Sequence, residues 1–138
     1  MKDKIFIDTN IWLYAFIEQD YTKFSQAKRL INENIENVCL SVQVLNEICI
    51  NLLKKSNYTE KDVRKLIKNF EKSFSIFPLK VEDCLKASKL REKYLISYWD
   101  SLIIASAVNN NCEILYSEDM QNNLVIENKL KILNPFEL

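Results

Sequence analysis

The sequence predicts an α/β fold, a mostly parallel sheet of about four to five strands covered by helices. Three observations predict it. Short apolar runs with β-branched and aromatic character recur along the chain: KIFID, VCLS, SIFPL, EILYS and LKIL. Longer stretches between them repeat apolar residues at helical spacing, and this alternation implies a parallel sheet with helices packed on it. The length of 138 residues suits one core, and no internal repeat, low-complexity segment or linker interrupts it, so residues 1–138 read as a single domain.

Taken in order, residues 4–8 form a buried strand that ends at Asp8, and Thr9 and Asn10 supply capping chemistry for a short helix, IWLYAFI. Phe24, Ala27, Leu30, Ile31 and Ile35 keep helical spacing from Tyr21 to about Glu36. Residues 38–41 are a second strand, and Ser41 caps a helix whose broad face is Val44, Leu45, Ile48, Cys49, Leu52 and Leu53. Thr59, with Asp62 three residues on, opens a helix with Val63, Leu66, Ile67 and Phe70 on its face. A strand at 75–79 closes at Pro78, and a helix from Val81 to Tyr94 presents Leu85, Ala87, Leu90 and Tyr94. Residues 99–109 are the most apolar helix, with Ala105 and Ala107 allowing close packing. EILYS and LKIL supply the last strands.

Composition excludes several chemistries. Lys+Arg and Asp+Glu both total 19, so no global basic field advertises a nucleic-acid partner and any such contact relies on a local patch. The chain has no Gly, which rules out Gly-rich phosphate loops and the dinucleotide fingerprint. It has no His, which removes the commonest general base and the usual zinc ligand. Hydrolysis would therefore run on carboxylates, hydroxyls, Lys or a metal-activated water. Cys39, Cys49, Cys84 and Cys112 are widely spaced in apolar neighbourhoods and read as buried free thiols. Neither a signal peptide nor a membrane-spanning stretch is evident, and the expected location is cytoplasmic.

Four acids stand out: Asp8, Glu47, Asp100 and Asp119. Asp8 and Asp119 follow strands, while Glu47 and Asp100 sit near helix starts, so all are compatible with the sheet edge where such folds bind ligands. A carboxylate beside a buried run loses solvation and must be neutralised, hydrogen-bonded or paired with a cation. If the four meet, a hard divalent ion is their natural neutraliser. Each also has a structural reading. Asp8 and Asp100 are ordinary candidates to cap the helices that follow, and Glu47 has a largely buried surround of Val44, Ile48, Ile50 and Asn51. Glu118 adjoins Asp119, and the sequence leaves open which of the two points inward.

The elements IDTNIWLY, SVQVLNEI, SYWDSLIIASAV and ILYSEDMQ, in that order and closed by NPF, resemble the PIN domain over essentially the whole chain. Within that family the sequence is most similar to the VapC-like ribonuclease toxins of type II toxin–antitoxin systems. The resemblance implies a three-layer α/β/α sandwich whose clustered acids hold Mg2+ or Mn2+ and cut RNA. It assigns Asp8, Glu47, Asp100 and Asp119 as metal-binding and catalytic acids, with Asn10 and Ser117 as supporting polar residues. It also implies a cognate antitoxin and a homodimer, for which the Tyr14–Ile17 and Ile48–Leu53 stretches are candidate interfaces that core packing explains equally well. Family members often carry Gly after the fourth acid; with none here, Asn122 and Asn123 are expected to take any positive-φ position.

Substrate contacts are less legible. Lys54 and Lys55, followed by Arg64, Lys65 and Lys68, are candidates to track phosphates, against the reading of a solvated helix face. Trp12, Tyr14 and Trp99 flank the site as stacking candidates or core aromatics. Two rivals remain: a catalytically silent RNA- or protein-binding module of the same fold, and a phosphatase of the haloacid dehalogenase type, which needs a second Asp where this chain has Asn10.

Overall fold

The computed structural model describes residues 3–138. In chain order its elements are β1 (Ile5–Ile7), α1 (Thr9–Phe16), α2 (Tyr21–Glu33), β2 (Val38–Ser41), α3 (Val42–Lys55), α4 (Glu60–Ser73), β3 (Ser75–Phe77), α5 (Val81–Lys93), α6 (Tyr98–Asn109), β4 (Ile114–Tyr116), β5 (Val125–Ile126) and β6 (Leu130–Leu133). The strands form one sheet in the order β3-β2-β1-β4-β6-β5, with every pairing parallel except β5 with β6. Right-handed crossovers put α1–α4 on one face and α5 and α6 on the other, which gives the expected three layers. Among the described residues no helix is long and apolar enough to cross a membrane.

The sheet has six strands, one more than the five apolar runs suggest. β5 is two residues long and escapes any periodicity count. Its turn into β6 carries Glu127 at φ 51° and Asn128 at φ 56°, with the Lys129 amide bonded to the Ile126 carbonyl at 2.9 Å. Two successive positive φ values mark a hairpin turn that Asn-Gly would have signalled, and Glu-Asn does not. The Lys86 ammonium bonds both Glu127 carboxylate oxygens at 2.9 Å, tying this unusual turn to α5. Asn123 takes positive φ as expected, at 70°, and Asn111 does so at 61°; Asn122 does not.

The core explains the continuous apolar runs. Strands of a parallel sheet are covered on both faces, and Phe6, Ile7, Leu40 and Leu115 are fully buried. Trp12 is core as well: its indole N–H donates to the Ile7 carbonyl at 3.0 Å, and its ring lies 4.9 Å from Phe70 and 5.2 Å from Phe74. The whole of Ser101–Val108 in α6 is buried, which is why that helix has no polar face.

Three expectations need correcting. Leu85 is 62% exposed and Asp83 takes the inward position on α5, because the Lys80 amide and the Asn109 side-chain amide donate to its two oxygens at 3.0 and 2.8 Å. Cys84 is exposed, while Cys39, Cys49 and Cys112 are buried thiols. Glu47 is half-buried rather than enclosed, since α3 turns it toward an open groove.

Candidate metal-binding active site

β1 and β4 are adjacent, and the chain departs from them in opposite directions along the sheet. That switch point opens a crevice beyond their carboxyl ends. The register Ile7↔Tyr116 sets Asp8 beside Ser117 there. The Asp8 amide continues the ladder to the Tyr116 carbonyl at 3.0 Å, and the Ser117 hydroxyl donates to Asp8 Oδ2 at 2.8 Å. The Thr9 amide donates to Asp8 Oδ1 at 2.8 Å, so Asp8 is itself the N-cap of α1 and Thr9 begins the helix. Thr9 instead sends its hydroxyl to Glu47 Oε1 at 2.5 Å, joining α1 to α3. Ser41 caps α3 through the Val44 amide and so fixes where Glu47 emerges.

Asp100 is not a cap. Ser97 accepts the Asp100 amide at 3.2 Å and caps α6, which leaves the Asp100 carboxylate in the first turn and free to face the other acids. The S-x-x-D spacing of SYWD is the signal that could have shown this. Asp119 Oδ2 accepts the Asn10 side-chain amide at 2.8 Å. Glu118 points elsewhere, with Tyr14 donating to it at 2.6 Å and Lys23 pairing with it. The structure thus brings Asp8, Glu47, Asp100, Asp119, Asn10 and Ser117 to one edge. Lys54 and Lys55 lie exposed in the last turn of α3, two turns beyond Glu47, where they suit the negative end of the helix dipole.

Electrostatically the edge is strained. Asp8 is 6% exposed, and burial, opposed by the Ser117 and Thr9 hydrogen bonds and aided by the charges of Asp100 and Glu47, pushes its carboxyl up to about 6. Burial also raises Asp100 above the ordinary carboxylate value, with the Asp119 and Glu47 charges adding to it. Asn10 Oδ1 is a buried acceptor without a donor partner. Together these are an excess of negative charge and an unmet acceptor, with oxygen donors alone. That set fits a hard divalent cation with its waters. Among the described residues no cluster of three or more His, Cys, Asp or Glu side chains is placed to hold a metal ion. Mg2+ does not need one, since it keeps several waters and takes one or two carboxylates.

Of the aromatic candidates, only Trp99 is free for a ligand. It is 64% exposed and lines a groove of about 670 Å³ with Gln43, Asn46, Glu47 and Ile50. A second cavity of about 700 Å³, lined by Phe16, Tyr58, Lys65 and Phe70, contains none of the four acids.

The PIN domain family model matches residues 5–124. No curated protein gives a significant sequence match. Among solved structures, the chain is similar to a protein in a toxin–antitoxin complex from Klebsiella pneumoniae, at 18% identity and a TM-score of 0.74 over 97% of this chain and 99% of that one. It is similar to VapC20 of Mycobacterium tuberculosis, a sarcin-ricin loop cleaving toxin, at 19% identity and a TM-score of 0.68 over 83% and 89%. A chain of VapBC2 from Rickettsia felis, bound to a promoter DNA fragment, matches at 21% identity and a TM-score of 0.64 over 94% and 98%.

Proposed function

The chain belongs to the PIN domain family, and on that premise we propose that it is a Mg2+- or Mn2+-dependent endoribonuclease, the toxin of a toxin–antitoxin pair. The observation that carries the reading is Asp8: a carboxylate buried at the switch point, raised to about 6 and faced by other acids. A group so placed calls for a cation. We assign Asp8 and Asp100 as direct ligands, and Glu47 and Asp119 as acids that act through water or a second ion. When bound, a divalent ion lowers the pKa of a coordinated water and offsets charge on the phosphodiester oxygens.

The chain's own residues do the rest. Ser117 and Thr9 fix both oxygens of Asp8. Thr9 also orients Glu47, and Asn10 turns Asp119 inward while leaving Oδ1 to accept from a water. Glu47 and Asp119, half-buried and exposed respectively, are the groups through which a proton can leave the site. With no His in the chain, carboxylates are the bases at hand. Trp99, beside Asp100, is where a base of the RNA next to the scissile phosphate would stack, and Lys54 and Lys55 extend the phosphate path.

The toxin assignment is supported by the neighbours named above, one of them from a toxin–antitoxin complex and another a sarcin-ricin loop cleaving toxin. Of the two candidate interface stretches, Ile48, Cys49 and Leu52 are core and Tyr14–Ile17 packs against it, so only Ile50 and the partly buried Phe16 are offered to open grooves that an antitoxin or a second copy could cover. The test is cleavage of single-stranded and structured RNA with Mg2+, Mn2+ or EDTA, comparing wild type with Asp100→Asn. Metal-dependent cutting that the variant lacks is the expected result. Wild-type protein that neither cuts RNA nor melts at higher temperature with either ion would return the reading to a silent binding module.

A further inference from the structure

Glu118 and Asp119 are adjacent carboxylates after β4, and Asp119 is the one that accepts from the Asn10 side-chain amide. The segment 117–120 is pinned with alternating direction. Ser117 bonds Asp8 and accepts the Met120 amide at 3.4 Å, Asp119 bonds Asn10, and Met120 is buried. Glu118 is drawn the opposite way, with both its oxygens engaged. Tyr14 from α1 donates to Oε1 at 2.6 Å, and the Lys23 ammonium from α2 donates to Oε2 while lying 3.4 Å from the Tyr14 hydroxyl. The same ammonium sits 5.0 Å from the Tyr14 ring centre and 5.3 Å from that of Phe136, and the two rings meet edge to face. The side chains of Lys23 and Glu118 keep only 32% and 21% of their surface in solvent. A pair this sheltered is held more firmly than an ordinary surface ion pair.

We infer that Lys23 and Tyr14 are positioning residues that hold Glu118 out of the acid centre and so select Asp119 as its fourth carboxylate. Glu118 carries the same charge as Asp119 on a longer side chain. Released from Lys23, it would compete for the Asn10 amide, which holds the neighbouring carboxylate of Asp119. Its entry there displaces Asp119 and changes the ligand set. The inference deepens the reading of the centre as a cation site and rests on it for its consequence, but the placement itself is measurable without any cation.

The experiment compares wild type, Lys23→Arg, Lys23→Met and Lys23→Met/Glu118→Gln. The first readout is the Asn10 side-chain amide resonance pair in protein kept in EDTA. The second is Mg2+ affinity by calorimetry. Lys23→Met should move the Asn10 resonances and weaken Mg2+ binding by about tenfold, the scale of losing a residue that orients a ligand. Lys23→Arg should stay near wild type, and the double variant should return both readouts toward it, because the stray charge is gone. Unmoved Asn10 resonances in Lys23→Met overturn the inference. So does a double variant no closer to wild type than the single one, which would leave the pair a plain structural brace. If wild type binds no Mg2+, the Asn10 resonances alone decide, and a shift with rescue upholds the positioning while the cation reading fails.

Discussion

Asp8→Asn should make the metal-free protein more stable while removing its chemistry. The folded pKa of about 6 stands roughly two units above the ordinary 3.8. At 1.36 kcal/mol per unit, the ionised form therefore costs the fold about 3 kcal/mol at neutral pH. The sign follows from the direction: a carboxyl raised on folding favours the protonated fold. Its penalty is absent below about pH 4, grows between about 4 and 6, and is complete above that. Asparagine is neutral at every pH. It keeps an oxygen for the Thr9 amide, and the Ser117 hydroxyl is free to rotate and accept from its nitrogen. Some hydrogen-bond strength is lost with the charge, which leaves a gain of about 1–3 kcal/mol, or about 3–10 °C in melting temperature for a chain of this size. Thermal melts in EDTA at pH 7.5 and 4.5 measure it. The variant should melt higher at pH 7.5, the gap should narrow to about a third at pH 4.5, and Mg2+ should raise the wild type alone. An Asp8→Asn variant no more stable than wild type in EDTA at pH 7.5 would refute the claim that the carboxylate is strained.

Trp99→Ala should raise KM for RNA about tenfold, from the loss of one base stack, with Mg2+ affinity and melting temperature near wild type because the ring is 64% exposed; steady-state kinetics beside calorimetry decide it, and an unchanged KM removes Trp99 from the RNA path. Phe70→Ala should cost about 3–4 kcal/mol in urea denaturation, since that ring contacts Trp12, Phe16 and Phe74 together; a loss under about 1 kcal/mol would mean the α1–α4 packing is not as described. Asp83→Asn should go the other way from Asp8→Asn, lowering stability by about 1–2 kcal/mol through one weakened buried hydrogen bond, with RNA cleavage and Mg2+ affinity unchanged.

The elements that could be read from sequence are those whose signals are local. Strand runs, the Ser41 cap and the Thr59–Asp62 capping box need only a few neighbouring residues, and all appear where expected. β5 was not legible because its turn uses Glu127 and Asn128 in place of glycine, and the Lys86 pair that steadies the turn comes from 41 residues away. The acids were legible for the same reason as the strands: each interrupts or closes an apolar run. Which of Glu118 and Asp119 turns inward was not, because the deciding partners on α1 and α2 lie 104 and 95 residues distant.

Burial alone does not separate Asp8 from Asp83. Asp83 is 1% exposed against 6% for Asp8, and each accepts two hydrogen bonds. The difference lies in what surrounds them. Asp83 closes the first turn of α5 between a backbone amide and Asn109, a task that ends with the hydrogen bonds made. Asp8 has its bonds and still carries the repulsion of Asp100 and Glu47 at the sheet's switch point, beside an Asn10 oxygen that lacks any donor. A satisfied buried acid is structure. An acid that its neighbours leave unsatisfied, at the edge where the fold opens, marks where something from outside must complete the charge.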